Sequence, residues 1–258
     1  MPSDKWMIAL DQDLPWGRWE RRVFYVYPGT KLDIPISINV KEPFEIHISA
    51  GSSLSFWDEG HAFVCHMERE SCLFHYGVAK KAHFILDGKA VLIHKNLIQN
   101  PSLESSEVQI DLNQEGARVD WGDGVNLQNE EHYQQNIKIE HFAPHTHSEC
   151  CLKSIIRDKG SLNFVCDVFI REDATQSTAH QKNLNHVLSA YGRVTALPRL
   201  HIFNKNIEAS HGTATQPIPE EILFYLQMRG LNRQRAEQLY LESFFRDFNT
   251  NISQGDGE

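Results

Sequence analysis

Leu162-Asn163-Phe164-Val165-Cys166-Asp167-Val168-Phe169-Ile170 decides the fold class. Leu162, Phe164, Cys166, Val168 and Ile170 recur at every second position, which places them on one face of an extended chain. A helix would need its apolar residues three and four apart. The same texture continues outward in both directions. Arg22-Val23-Phe24-Tyr25-Val26-Tyr27, Phe44-Glu45-Ile46-His47-Ile48-Ser49 and Ala82-His83-Phe84-Ile85-Leu86 precede it, with Val108-Gln109-Ile110-Asp111-Leu112; Leu200-His201-Ile202-Phe203 follows. These runs alternate or are rich in β-branched and aromatic residues, and Gly, Asn, Asp and Ser punctuate them. Between residues 21 and 215 no segment keeps a 3.6-residue period. About three quarters of the chain therefore reads as all-β. A sandwich, a barrel and a β-solenoid all fit, because strand spacing alone does not separate them. No clean repeat motif marks a solenoid.

The texture changes at Gln216-Pro217. Pro219 suits the first turn of a helix, and Glu220 and Glu221 suit its positive end. Ile222, Leu223, Tyr225 and Leu226 supply an apolar face; Arg229 sits in the last turn and Gly230 stops the helix. Asn232 caps a second helix, with Leu231 and Ala236 in staple positions. Ala236, Tyr240, Phe244 and Phe248 repeat every four residues beside Leu241 and Phe245. The organisation expected is an N-terminal segment over 1–20, a β-rich body over 21–216, a helical region over 217–249 and a disordered tail over 250–258. The helical stripe packs on the β-body, leaves part of itself to a partner, or does both.

The chain has 258 residues, enough for one core without disulfide or metal staples. Its formal net charge of −9 argues against a general nucleic-acid binder. No apolar run has the length of a membrane helix. The start, Met1-Pro2-Ser3-Asp4-Lys5-Trp6, has no basic-then-apolar pattern, so no secretory signal is expected. The five cysteines, Cys65, Cys72, Cys150, Cys151 and Cys166, form no CxxC pair. They read as reduced thiols of a cytoplasmic protein, acting as small apolar side chains. A sharper reading makes one of them a thiolate that handles sulfur or iron.

Fourteen histidines are dense for this length, and the tightest group is His141-Phe142-Ala143-Pro144-His145-Thr146-His147-Ser148-Glu149. On one strand His145 and His147 would share a face, as metal ligands do in cupin barrels. A cupin-like metal enzyme is therefore one alternative, although Glu149 follows too soon for that pattern. No GxSxG, P-loop, HExxH or post-strand GxGxxG is present.

Three blocks carry a resemblance. The first is His141-Phe142-Ala143-Pro144-His145-Thr146-His147-Ser148. The second is Asp173-Ala174-Thr175-Gln176-Ser177-Thr178-Ala179-His180-Gln181-Lys182-Asn183-Leu184-Asn185-His186-Val187-Leu188-Ser189, followed by Leu197-Pro198-Arg199-Leu200-His201-Ile202. The third is Ser210-His211-Gly212-Thr213-Ala214-Thr215, then Leu223-Phe224-Tyr225-Leu226-Gln227-Met228-Arg229-Gly230. In order and spacing, residues 141–248 resemble the core domain of the SufB/SufD family of iron–sulfur cluster assembly proteins, and the first and third blocks are more SufD-like than SufB-like. The resemblance makes the first block family framework rather than a cupin site.

The resemblance implies a right-handed parallel β-helix closed by a C-terminal helical hairpin. It implies a scaffold in the cytoplasm, not an enzyme, that pairs with a SufB-type protein or with itself and docks a SufC-type ATPase. His211 matches a histidine implicated as a cluster ligand at the subunit interface. Phe224, Tyr225, Leu226, Arg229, Tyr240 and Phe244 match the hairpin, partly core and partly SufC contact. An iron–sulfur cluster is expected only transiently, at the interface, with none held tightly by the isolated chain. Neither nucleic acid nor membrane is an expected partner. Ala209 stands where the family often has a cysteine, and family members are usually longer, so this chain is expected to be a short form. A stand-alone homodimer that binds metal or cluster is the other reading within the same fold.

Overall fold

In the computed structural model, residues 6–9, 14–40 and 42–248 are described. The tail expected over 250–258 lies outside the described residues. Strands come first. They are β1 (Trp6–Ala9), β2 (Gly17–Glu20), β3 (Val23–Val26), β4 (Ile36–Asn39), β5 (Phe44–Ile48) and β6 (Ser53–Glu59). Next come β7 (Ala62–Met67), β8 (Cys72–Val78), β9 (Lys81–Leu86), β10 (Val91–Gln99), β11 (Ser105–Leu112) and β12 (Arg118–Leu127). The last six are β13 (His132–His141), β14 (His147–Ile156), β15 (Ser161–Ile170), β16 (Ser177–Val187), β17 (Arg193–Ile202) and β18 (Ile207–Thr215). Helices α1 (Glu220–Met228) and α2 (Arg233–Phe244) and a 3-10 turn (Arg246–Phe248) complete the chain.

From β3 onward the chain deposits successive strands on two sheets alternately. The first sheet runs β1-β4-β6-β8-β10-β12-β14-β16-β18, and the second runs β17-β15-β13-β11-β9-β7-β5-β3-β2. Every pairing between these strands is parallel except β2 with β3, which is antiparallel. This is a parallel β-helix, the solenoid among the three all-β architectures that the sequence left open. In β15 alternate residues are buried between the sheets, around Phe164 and Cys166, and β5, β7 and β11 show the same alternation. In the second sheet one interior column is apolar throughout: Phe24, Ile46, Cys65, Phe84, Ile110, Ile139 and Val168 stand in register and are fully buried. Burying each such side chain stabilises the fold by about 1.5–3 kcal/mol.

The absence of a readable repeat has a structural cause. Residues stacked on adjacent coils are 19 apart at His75 and His94. They are 29 apart at Asn129 and Asp158, and 31 apart at Ser154 and Asn185. The coil lengthens along the chain, so no fixed period exists to be found. The corners also escape the Gly, Asn and Asp signal. Glu70, Lys89, His145 and Gln176 take left-handed φ values there, alongside Asn129 and Asp158.

The helical region has the form expected of it. Pro219 precedes α1, and the Asn232 side chain accepts the Arg235 N–H at the start of α2. Phe244, Phe245 and Phe248 bury against Ile155, with Leu97, Cys151 and Leu184 at the rim. They lie on the outer side of β12 because Gly122 and Gly124 leave room. A Cβ at Gly122 would come 2.8 Å from the Phe248 ring, and one at Gly124 would come 2.9 Å from the Phe245 ring. Lys153 fastens this end, donating to the Phe244 carbonyl (3.1 Å) and pairing with Asp247 (2.7 Å).

Candidate functional site

Among the described residues nothing stacks on the last coil of the solenoid. Strand β18 pairs with β16 and ends the first sheet; β17 pairs with β15 and ends the second. The residues that would face inward there, Val194, Ala196, Leu200, Ile207 and Ala209, are only partly buried. Leu197, Ile202 and Phe203 are exposed at the same end. A strand edge without a neighbour offers a row of backbone donors and acceptors to another chain.

His211 sits in the middle of β18, exposed, and in register with Gln181 of β16. Beneath it the interior of the first sheet is polar, unlike the apolar column of the second. Ser177, Gln181, Asn183 and Asn185 are all buried in β16, with Ala179 between Ser177 and Gln181. Part of this layer is satisfied from below. Gln181 Nε2 donates to the Cys166 carbonyl at 3.2 Å, and Ser154 donates to Asn185 Oδ1 at 2.7 Å. Asn185 Nδ2 reaches the Ala214 carbonyl above it at 3.4 Å. Gln181 Oε1 and Asn183 Nδ2, directly below His211 and Thr213 in register, are buried with no partner among the described residues. Buried polar atoms without partners are costly and ask for a reason. On the outer side of the same edge, His180 Nδ1 and Ser210 Oγ are 2.8 Å apart.

The structure separates His145 from His147. His145 is an exposed corner residue with φ +57°, and its N–H donates to the Thr175 carbonyl. His147 begins β14, where its Nδ1 bonds Thr178 Oγ1. They share no strand face, so the two-histidine cupin arrangement is not formed. His141, by contrast, is fully buried, with Thr146 Oγ1 and Ser148 Oγ each 2.8 Å from a ring nitrogen. Burial, with His147 nearby, pushes its pKa down to about 3. The first sequence block is thus a corner lock: His141, Thr146 and Ser148 join Ser177, whose Oγ accepts the Thr146 N–H.

The cysteines are thiols in protected settings. Cys65, Cys150 and Cys166 are buried, and Cys72 and Cys151 are half-buried. Burial pushes the Cys65, Cys72 and Cys151 thiols up, and Cys150 is raised by its contact with Cys166 and by burial. Cys150 Sγ and Cys166 Sγ lie 3.4 Å apart inside the solenoid. The environment of these four therefore favours the neutral thiol over a preformed thiolate.

The hairpin residues divide into two sets. Phe244, expected in part at a docking face, is buried against His186 and Phe245. Tyr240 is half-buried; its hydroxyl donates to His186 Nε2 at 2.9 Å, while His186 Nδ1–H donates to the Gln216 carbonyl at 2.8 Å. Leu226 is half-buried against the Leu223 and Ala236 cluster. Phe224 (64%), Tyr225 (56%) and Met228 (71%) of α1 are exposed. The Arg229 guanidinium lies 5.1 Å from the Tyr225 ring centre. Helix α2 is spent on the body, and α1 keeps an apolar face in water.

One cluster was not singled out from the sequence. His75 Nδ1 is 2.8 Å from His94 Nδ1, and His94 Nε2 is 3.1 Å from Asp123, all inside the first half of the solenoid. Trp121 Nε1 and Gln135 Nε2 also donate to Asp123, at 2.7 and 2.9 Å. Burial opposes the ionisation of Asp123, yet His94 and these donors hold its carboxyl below the usual range. His75, His94 and Trp121 continue the interior column that ends at His211.

Comparison with known proteins agrees with this architecture. Residues 66–244 match the family model described as "SUF system FeS cluster assembly, SufBD core domain". The iron–sulfur cluster assembly protein SufD of Escherichia coli is 29% identical over 106 residues, 41% of this chain and 25% of that protein. A SufBD family iron–sulfur cluster assembly protein of Synechocystis is 32% identical over 108 residues, 42% of this chain and 23% of that protein. The SufB protein of Bacillus subtilis is 25% identical over 118 residues, 46% of this chain and 25% of that protein. The matches thus span about a quarter of the length of these relatives. No helix among the described residues is long and apolar enough to cross a membrane.

Proposed function

The chain belongs to the SufBD core family of the SUF system for iron–sulfur cluster assembly, and from that premise we propose that it is a SufD-like scaffold subunit. Its open edge, β17 with β18, pairs with the edge of a SufB-type protein or of a second copy. The cluster is cargo assembled at that junction, with the His211 imidazole as a ligand supplied by this chain; imidazole suits iron. A SufC-type ATPase docks on the exposed face of α1 through Phe224, Tyr225 and Arg229, with Met228 beside them. Leu226, Tyr240 and Phe244 hold the hairpin in the orientation that offers this face. ATP hydrolysis belongs to that partner, and this chain carries out no turnover of its own. The organisation proposed with it is a β-helical body over 21–216 and a helical docking region over 217–249.

The observation that carries this reading is His211 itself. It is exposed on the terminal strand β18, whose outer edge has no neighbour among the described residues, above a buried layer in which Gln181 Oε1 and Asn183 Nδ2 have no partner among the described residues. A partner coil stacked on β18 would cover His211. The relatives that match include both SufD and SufB proteins. The SufD-like assignment therefore rests on the Ser210-His211-Gly212 and Ala143-Pro144 blocks.

The test is co-purification with the same organism's SufC-type ATPase, with and without a SufB-type protein, followed by the mass of the complex. Wild type is expected to form a stable complex, and Phe224→Ala with Tyr225→Ala to lose the ATPase while keeping the fold. His211→Ala is expected to assemble normally and fail to accumulate cluster on anaerobic addition of iron and sulfide. Full ATPase binding by the double variant would reject the docking face. Undiminished cluster on His211→Ala would reject the ligand.

A further inference from the structure

Glu45 and His47 lie outside the family-matched residues, and His66 lies at their very start. All three are on the outer face of the second sheet, since β5 and β7 alternate buried and more exposed positions around them. His47 of β5 is the register partner of His66 of β7. In-register residues of parallel neighbours are about 4.8 Å apart, and these two rings have their centres 4.4 Å apart. Glu45 stands two residues before His47, on the same face. Its Oε2 is 3.5 Å from His47 Nε2 and 3.9 Å from His66 Nε2. Among the described residues this is the one group of three whose imidazole, thiol or carboxylate atoms all come within 4.8 Å of one another. Ligand atoms at about 2.0–2.2 Å from a tetrahedral ion sit roughly 3.3–3.5 Å apart, so small side-chain rotations bring all three onto one ion.

We propose that Glu45, His47 and His66 form a binding site for a divalent first-row transition-metal ion. Two imidazoles and one carboxylate suit iron(II) and zinc, whereas magnesium and calcium favour all-oxygen shells. Three ligands leave coordination positions open. The strands set the ligand spacing, so the site is held by the sheet ladder rather than by a loop. The Tyr25 ring, 5.0 Å from His47, packs on its far side and limits its rotation. Glu45 also lines a groove of about 930 Å³ that runs along this sheet past His83, Lys138 and Arg199. The open positions therefore adjoin a surface able to take a ligand or partner group.

This site is independent of the edge at His211, and the experiment separates the two. The intact chain, stripped with a chelator, is titrated calorimetrically with zinc chloride, cobalt(II) chloride and, under anaerobic conditions, iron(II). Magnesium serves as the oxygen-seeking control. The expected result is one equivalent of each transition ion, visible absorption bands from bound cobalt, and no magnesium binding. His47→Ala, His66→Ala and Glu45→Gln should each weaken binding by more than the roughly 10–100-fold that loss of a mere outer partner costs. His147→Ala should bind as wild type. These side chains are partly exposed, and circular dichroism verifies that each variant keeps its strands. Wild-type stoichiometry and affinity in all three variants would overturn the proposal, as would loss of the equivalent in His211→Ala instead. Failure of the wild type to bind any of the three ions would overturn it equally.

Discussion

At the scale of single residues, the buried histidines and carboxylates of the solenoid interior set how this protein responds to acid. His141 is held at about 3 in the folded chain, against an ordinary value of about 6.5 when unfolded. Between those values the unfolded chain binds the proton and the folded chain does not. His141 therefore supports the fold fully above about pH 6.5 and less as pH falls, by up to about 1.4 kcal/mol per pH unit. Burial lowers His75 as well, with Asp58 acting against that shift, so it adds a loss of the same sign. Asp58 and Asp123 are held below the usual carboxylate range despite burial, and their contributions fade only at lower pH. Urea midpoints measured from pH 7 to pH 4.5 should fall steadily. His141→Asn should be less stable than wild type at pH 7 and show a shallower decline. An equal slope in the variant would mean that His141 titrates normally in the fold. Such residue-scale facts were barely legible in the sequence. His141 and His147 look alike there, and only stacking decides that one is sealed under Thr146 and the other is half in water.

At the scale of elements, the helical region was legible because its signals are local. Asn232 caps, Gly230 stops, and the four-residue recurrence of Ala236, Tyr240, Phe244 and Phe248 names the face of α2. What the recurrence cannot say is which helix meets the body, since both carry aromatics. The deciding residues are Gly122 and Gly124, more than ninety positions upstream, which make the outer side of β12 flat enough for Phe245 and Phe248. Gly124→Ala sets a methyl 2.9 Å from Leu97 and Phe245; it should cost about 1–3 kcal/mol, as overpacking does, and free the C-terminal turn for proteolysis. Gly212→Ala meets nothing within 4 Å and should melt as wild type does. Equal melting of the two variants would mean that the aromatic turn does not rest on β12. Helix α1 buries Leu223 beside Ala236 and leaves Phe224, Tyr225 and Met228 in water, and apolar groups gathered on one exposed face mark an interaction site.

At the scale of the whole molecule, a solenoid ends where its last coil has nothing stacked upon it. Among the described residues both sheets end together, at β17 and β18, each paired on one edge only, with Leu197, Ile202 and Phe203 exposed beside them. Solenoids require capped ends for solubility. The chain should therefore self-associate at micromolar concentration when no SufB-type protein is present. Leu197→Glu with Phe203→Glu should return it to monomer in light scattering without loss of strand signal in circular dichroism. A wild-type chain that is monomeric throughout would show that the end caps itself and would remove the homodimer reading.

The sequence alone determined the element types, the helix boundaries and the family, because alternation, caps and short motifs are written in neighbouring residues. It also singled out His211 as a candidate, through the motif around it. Only the tertiary structure decided that the strands wind into a solenoid, because the coil grows from 19 to about 30 residues and erases any period. It also decided that His145 sits at a corner while His147 begins a strand, that Phe244 turns inward, and that Glu45, His47 and His66 come together. For the solenoid and for that cluster the reason is register: which side chains meet depends on how many residues each coil takes to come round, and that count belongs to the closed coil rather than to any local stretch of chain.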